Sequence, residues 1–243
     1  MNEKRTWVYD LLFILVLLLA GYLRLSGADW GEGYHQHPDE LSMMGWLDNL
    51  RAHTCKDPLV PIDACPPDQR RWLTVGEYLD SATSTLSPYN RGTSFFPYGN
   101  LPMTLVRYAV ELTHNEDIGN SKFFARQTSA LADLFTIFLL YLIVSKLYGQ
   151  RTGLFAAAFS AFAVMQIQQS HFFTADSFVN LFMFLTLYFA VGIIGQKAEG
   201  RFAEQNAESE MQNPHSAFRL QYIVRSPLFW LSIGFGLALG MAM

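Results

Sequence analysis

Cysteine and charge are both scarce in this chain. Two cysteines among 243 residues, Cys55 and Cys65, are too few for the framework of a disulfide-rich domain. Asp, Glu, Lys and Arg together make up 16% of the residues, and no run of Lys and Arg stands out. That excludes the basic footprint of a nucleic-acid-binding protein, so no nucleic acid is expected as a partner. No internal repeat is visible either. The net charge of -4 says little, because the charges are segregated along the chain.

What is abundant is hydrocarbon. About half the residues are hydrophobic (51%) and 15% are aromatic, a balance too apolar for a typical soluble domain. The composition fits a polytopic, all-α membrane protein whose first partner is the lipid bilayer. Residues 7 to 27, "WVYDLLFILVLLLAGYLRLSG", are apolar for about the length of a bilayer core. A basic start before an apolar core also describes a signal peptide, but Arg24 and Leu25 make a poor cleavage site. An uncleaved first span is expected. Further spans are expected at 127–148, 153–174 and 177–195, and a fifth at 227–243 is still apolar where the sequence stops. The expectation is a helical bundle of about five transmembrane helices, forming the N-terminal part of something longer.

Lys4 and Arg5, Lys146 and Arg151, and Lys197, Arg201, Arg219 and Arg225 mark three segments that the positive-inside rule places in the cytoplasm. Residues 28–125 then form an outer loop, and the stretch 196–226 a polar, irregular cytoplasmic one. Within the outer loop, Leu41, Met44, Leu47 and Leu50 recur at helical spacing after Pro38, with Met43 and Trp46 widening the stripe. A second amphipathic helix is expected after Pro97, with Leu105, Val106, Ala109 and Leu112 on one side. Neither is long enough to span, and both suit the membrane interface. Residues 54–93, rich in Pro, Asp, Ser and Thr, read as loop. Cys55 and Cys65 within it could form a local disulfide or stay apart.

The chemistry-bearing residues cluster where these segments leave the membrane. In "HQHPDE" (35–40), Pro38 followed by Asp39 and Glu40 is a good helix start. It also sets two acids at the exit of a span. A metal site would need His35, His37 and Asp39 to converge, which requires an extended segment, and no compact DxD accompanies them. In "QQSHFFTADSF" (168–178), Asp176 suits an N-cap and His171 an interfacial residue. Arg107 and Arg126 are the outer cations nearest the membrane, snorkelling by default yet well placed for a lipid phosphate. Asp133, an acid inside the second span, is a functional candidate on that ground.

Together, "HPDE" (37–40), "YGNLP" (98–102), "FFARQTSALADL" (123–134) and "SHFFTADSF" (170–178) resemble the GT-C membrane glycosyltransferases. Closest are the protein O-mannosyltransferase-like and aminoarabinose-transferase-like branches of glycosyltransferase family 39. The resemblance implies an integral plasma-membrane enzyme that moves a sugar from a polyprenyl-phosphate donor to a protein, lipid or glycan acceptor outside the cytoplasm. It implies that Asp39 is the catalytic base of an inverting transfer and that Glu40 positions it or binds the acceptor. Arg126 would face the leaving phosphate, and His171 and Asp176 would line the opposite wall. His37, Tyr98 and Arg107 complete the expected substrate-binding set. No metal ligand is assigned, and a divalent ion is the one cofactor that the resemblance leaves open. A flippase for lipid-linked sugars, drawing on Asp133, and a non-catalytic membrane subunit are the competing readings.

Overall fold

The computed structural model describes residues 6–29, 31, 34, 37–114, 118–208 and 227–242. His35, Arg219 and Arg225 lie outside these residues. Helices dominate: α1 (Thr6–Leu25), α2 (Pro38–Asn49), α3 (Val75–Leu79), α4 (Leu101–Leu112), α5 (Ile118–Tyr148), α6 (Gln150–Ala161), α7 (Val164–Ser170), α8 (Ala175–Glu208) and α9 (Pro227–Ala242). Three of them are long and apolar enough to cross a membrane: Trp7–Leu25 in α1, Ser121–Tyr148 in α5 and Ala175–Gly195 in α8. The expectation of a helical membrane protein holds.

The chain divides into two compact units. One comprises Met1–Leu19, Leu134–Ala163 and Val179–Met243. Here Phe13 of α1 stacks on Tyr141 of α5, ring centroids 3.8 Å apart. The α5–α6 turn uses Gly149 at φ 91°, a left-handed conformation that favours glycine. Gly153 then lets α6 lie against α5, since a Cβ there would sit 3.0 Å from the backbone of both Tyr141 and Ser145. The tyrosine hydroxyl of residue 141 reaches Asp10 Oδ1 at 3.3 Å.

The expected span at 153–174 is two helices. The break at Phe162 and Ala163 contains neither Pro nor Gly. Ala163 N–H donates to Ser160 O at 3.3 Å, the tightened bond that ends a helix. Beyond it, "VMQIQQS" carries three glutamines and a serine, and Gln169 reaches forward to Thr174 and to Asp176 in the first turn of α8. Other boundaries also move. Helix α5 begins at Ile118, so Arg126 lies inside it and not ahead of it. Helix α8 runs on to Glu208, so 196–208 are helical where an irregular loop was expected. The fifth segment forms a 16-residue helix, α9.

The second unit comprises Ala20–Asp133 and Val164–Phe178. Both expected amphipathic helices are present in it, with altered faces. On α2, Met43, Met44 and Leu47 are buried, as is Leu50 just beyond it, while Leu41 is exposed. On α4 the buried face is Met103, Val106, Arg107, Val110 and Glu111, and Leu105 and Leu112 face outward. Two charges occupy that face because they pair with each other and with the segment after α2. Residues 54–93 hold more order than their composition announces. Strand β1 (His53–Cys55) pairs antiparallel with β2 (Arg70–Trp72), His53 opposite Trp72. A Cys55–Cys65 disulfide closes the connection between them. Arg91 ties the segment to the end of α2 through Asn49 O (2.7 Å) and pairs with Asp63 (2.8 Å).

Candidate active site

Helix α2 opens at Pro38, with His37 as N-cap: its Nδ1 accepts from the Asp39 N–H at 3.2 Å. Successive helical residues point about 100° apart, so the acidic pair splits. Glu40 turns inward and is fully buried, whereas Asp39 stays half-buried. Glu40 Oε1 accepts from Arg126 Nε at 2.7 Å and from the Phe173 N–H at 3.0 Å, and Oε2 accepts from Arg126 Nη2 at 2.7 Å. Arg126 Nη1 donates to Ala28 O at 3.0 Å. One carboxylate thereby joins the first turn of α2, helix α5 and the corner before α8, and its arginine adds the chain leaving α1. Burying such a pair is costly unless its geometry and remaining hydrogen bonds are good, as they are here.

Asp39 faces a different set of groups. Burial, the Asp39 hydrogen bond and the charges of Asp39 and Asp176 together raise the Tyr98 phenol above its usual range, burial most of all. The Tyr98 hydroxyl therefore lies close to the Asp39 carboxylate, with Asp176 near enough to be felt. Asp176 itself is exposed and accepts from Gln169 Nε2 at 3.1 Å. It stands in the first turn of α8, not at the N-cap position expected for it, because the helix starts at Ala175, two residues earlier than an Asp176 cap requires. An aromatic wall backs Tyr98: its ring is 5.8 Å from Trp46 and 6.4 Å from Phe96. The His37 ring lies 5.1 Å from Phe172.

His171 closes the corner. Its Nε2 lies 2.9 Å from Ser26 O and its Nδ1 2.7 Å from Ile167 O, which fastens α7 to the end of α1. A pocket of about 490 Å³ opens beside it, lined by Ser26, Gly27, Val164, Ile167, Gln168 and His171. Asp39, Tyr98 and Asp176 thus form one polar group, and His37 adjoins it through the Asp39 backbone. His171 lies by the neighbouring pocket.

Two expected residues stand elsewhere. Arg107 is buried in a cluster of its own, donating to Glu111 Oε1 at 2.5 Å. Glu111 also accepts from the Ala52 N–H (2.9 Å) and meets His53 Nδ1 (2.6 Å). Arg126 presents its guanidinium to Glu40 at 1% exposure, so its charge is answered within the protein. Asp133 pairs with Arg24, in the last turn of α1, at 2.5 Å, and both side chains are buried. That pairing gives a counter-charge to the intramembrane acid on which a flippase reading drew. Sequence reasoning missed Arg24 as a partner, using it only to argue against cleavage. The signal was available, since an arginine at the end of a span needs an acid or an interface. Among the described residues, no three His, Cys, Asp or Glu side chains converge as metal ligands. His35 lies outside them.

This constellation of a buried acid–arginine clamp, a half-exposed acid and a membrane-spanning frame can be set beside known families. Residues 105–200 match the family model described as dolichyl-phosphate-mannose-protein mannosyltransferase. The match bears out the resemblance to GT-C membrane glycosyltransferases and supports a membrane-embedded glycosyltransferase in general. The mannosyltransferase match contains Arg107, Arg126, Asp133, His171 and Asp176, and stops short of Asp39, Glu40 and Tyr98. It covers less than half of the chain. Neither curated proteins nor solved structures yield a match.

Proposed function

We propose that this chain carries the acceptor-activating half of a membrane glycosyltransferase that takes sugar from a polyprenyl-phosphate donor on the extracytoplasmic face of the plasma membrane. Asp39 is the general base. It removes the proton of the acceptor hydroxyl as that oxygen attacks the anomeric carbon, and the sugar–phosphate bond breaks on the opposite face with inversion. General-base assistance of this kind is worth about a hundred- to ten-thousand-fold. Tyr98 orients the carboxylate, and Asp176 and His37 bound the acceptor space. The apolar-walled pocket beside His171 suits the isoprenoid end of the donor.

The observation that carries this reading is the division of labour within the acidic pair. Glu40, with three hydrogen bonds from Arg126 and Phe173, fixes the first turn of α2. Asp39 is left half-exposed on that fixed turn. Glu40 is therefore a positioning residue. Arg126 serves the same purpose through it, and could face a phosphate only if Glu40 were displaced.

The test is Asp39→Asn in the full-length protein, reconstituted with a polyprenyl-phosphate sugar and assayed for transfer. Activity should drop at least a hundredfold, with expression and membrane insertion unchanged. Transfer at the wild-type rate would overturn the assignment of the base.

A further inference from the structure

Helix α2 carries more of the Asp39 site than its first turn. Three, seven and ten positions on from Asp39 stand Ser42, Trp46 and Asn49. At about 100° per residue these four side chains fall within roughly 80° of one another, so they share one face of the helix. Asp39 and Trp46 are half-buried on it, and Ser42 and Asn49 are exposed. The inward face is a different one, made by Glu40, Met43, Met44 and Leu47. At about 1.5 Å per residue, Trp46 stands roughly 10 Å from Asp39 along the helix.

Aromatic rings widen this face beside the helix. Tyr98, close to Asp39, has its ring 5.8 Å from that of Trp46. Phe96 meets Trp46 at 5.2 Å with the planes 86° apart, and Tyr98 at 6.4 Å with the planes 81° apart. Such edge-to-face contacts hold rings in place without covering both of their faces. Tyr89 fastens the segment by donating its hydroxyl to Phe96 O at 3.2 Å. The polar groups keep capacity for a ligand. Ser42 donates its proton to Pro38 O, which leaves its oxygen able to accept. Asn49 sends an amide N–H to Gly45 O, which leaves its side-chain carbonyl.

An acid, a hydroxyl, an amide and an indole on one accessible face are the groups that hold a sugar. The C–H hydrogens on the flat of a pyranose carry partial positive charge and meet the negative face of an aromatic ring. Its hydroxyls meet the acceptors. A bilayer surface would call for an unbroken apolar face, and three of these four residues are polar. An extended peptide would call for an open strand edge, whereas a helix satisfies its own backbone.

We infer that the acceptor is an oligosaccharide whose terminal unit presents its hydroxyl to Asp39 and whose next unit lies along α2, stacked on Trp46 and hydrogen-bonded to Ser42 and Asn49. This rests on Asp39 as the base of the transferase, and it fixes the acceptor class that the transferase reading leaves open. Ser42, Trp46 and Asn49 recognise the acceptor, and the new bond forms at the Asp39 end alone.

The experiment is saturation-transfer NMR with titration on the full-length protein in detergent micelles. The probes are mannobiose, cellobiose and lactose, their component monosaccharides, and a hexapeptide containing Ser and Thr. At least one disaccharide should bind about tenfold more tightly than its monosaccharides and than the peptide. Trp46→Ala should weaken it about fivefold, while Trp46→Phe, which keeps a ring face, should stay within about twofold of wild type. Asn49→Leu changes an exposed side chain and should weaken it about threefold. Binding of the peptide ahead of every disaccharide would assign the face to a protein acceptor and overturn the proposal. So would equal binding of mono- and disaccharides, no disaccharide binding, or indifference to both Trp46→Ala and Asn49→Leu. Wild-type transfer by Asp39→Asn, with disaccharide binding intact, would overturn the base and not the recognition face.

Discussion

Replacing Glu40 by Gln tests the clamp beneath the proposed site with a change of one atom's chemistry. A glutamine carbonyl at the Oε1 position would still accept from Arg126 Nε and the Phe173 N–H. At the Oε2 position its amide would meet Arg126 Nη2, now donor against donor where 2.7 Å separates the partners. Arg126, 1% exposed, would keep its charge while losing the carboxylate that it is paired with. Breaking one side of a buried pair costs about 3–5 kcal/mol. For a chain of this size that corresponds to a thermal midpoint roughly 6–20 °C lower. Tryptophan fluorescence during heating of the detergent-solubilised protein would read the shift. In the double variant Glu40→Gln with Arg126→Met, the uncompensated charge is gone and the amide still serves Phe173. Its loss should fall short of the sum of the two single losses by about 2 kcal/mol. Additive losses, or a Glu40→Gln midpoint within about 2 °C of wild type, would refute the clamp.

The other expectations are narrower. Tyr98→Phe removes a hydrogen bond to a carboxylate, worth about 1.5–3 kcal/mol, so the transfer rate in the reconstituted assay should fall about tenfold or more; a change under about twofold would remove Tyr98 from the site. Glu111 titrates below its ordinary value of 4.5 in the fold, so its contribution is fully present above that pH and lost as the pH falls through and below it. Glu111→Gln should therefore flatten the fall of the thermal midpoint below about pH 4.5, and an unchanged slope would assign the acid sensitivity elsewhere. Arg24→Leu strands Asp133 and should cost about 3–5 kcal/mol, whereas Arg24→Leu with Asp133→Leu should recover most of it. A double variant as unstable as the single one would show that the pair is not the source.

Local features of this chain are legible in its sequence and long-range ones are not. Apolar length announces α1, α5 and α8, because a helix in lipid must satisfy its own backbone and shed nearly all charge. Pro38 with the following acids announces the start of α2, and Cys55 and Cys65 were close enough to be considered as a pair. The Glu40–Arg126 and Arg24–Asp133 pairs join residues 86 and 109 positions apart, and nothing in the local sequence at either end names the distant partner. Their pairing also gives Arg126 a counter-charge within the protein, where as an isolated cation it suggested a phosphate. The break at Phe162 escaped notice because it uses no Pro or Gly. The face of α4 was misplaced because the apolar residues were assumed to point inward, whereas Arg107 and Glu111 are buried together. Strands of three residues are too short to show alternation, so β1 and β2 read as loop. The convergence of Asp39 and Tyr98 depends on where α2 and α4 pack, which no single motif encodes.

The Arg24–Asp133 pair has a consequence for how the protein is made. Arg24 leaves the ribosome 109 residues ahead of the acid that neutralises it. At ordinary synthesis rates of about 5–20 residues per second, that gap lasts roughly 5–20 seconds. During the wait an arginine near the helix end reaches for the headgroups with its long side chain. The first helix is therefore complete well before α5 brings its counter-charge. Membrane insertion of this chain is a sequence of provisional placements, and the length of the segment between the two helices sets the delay.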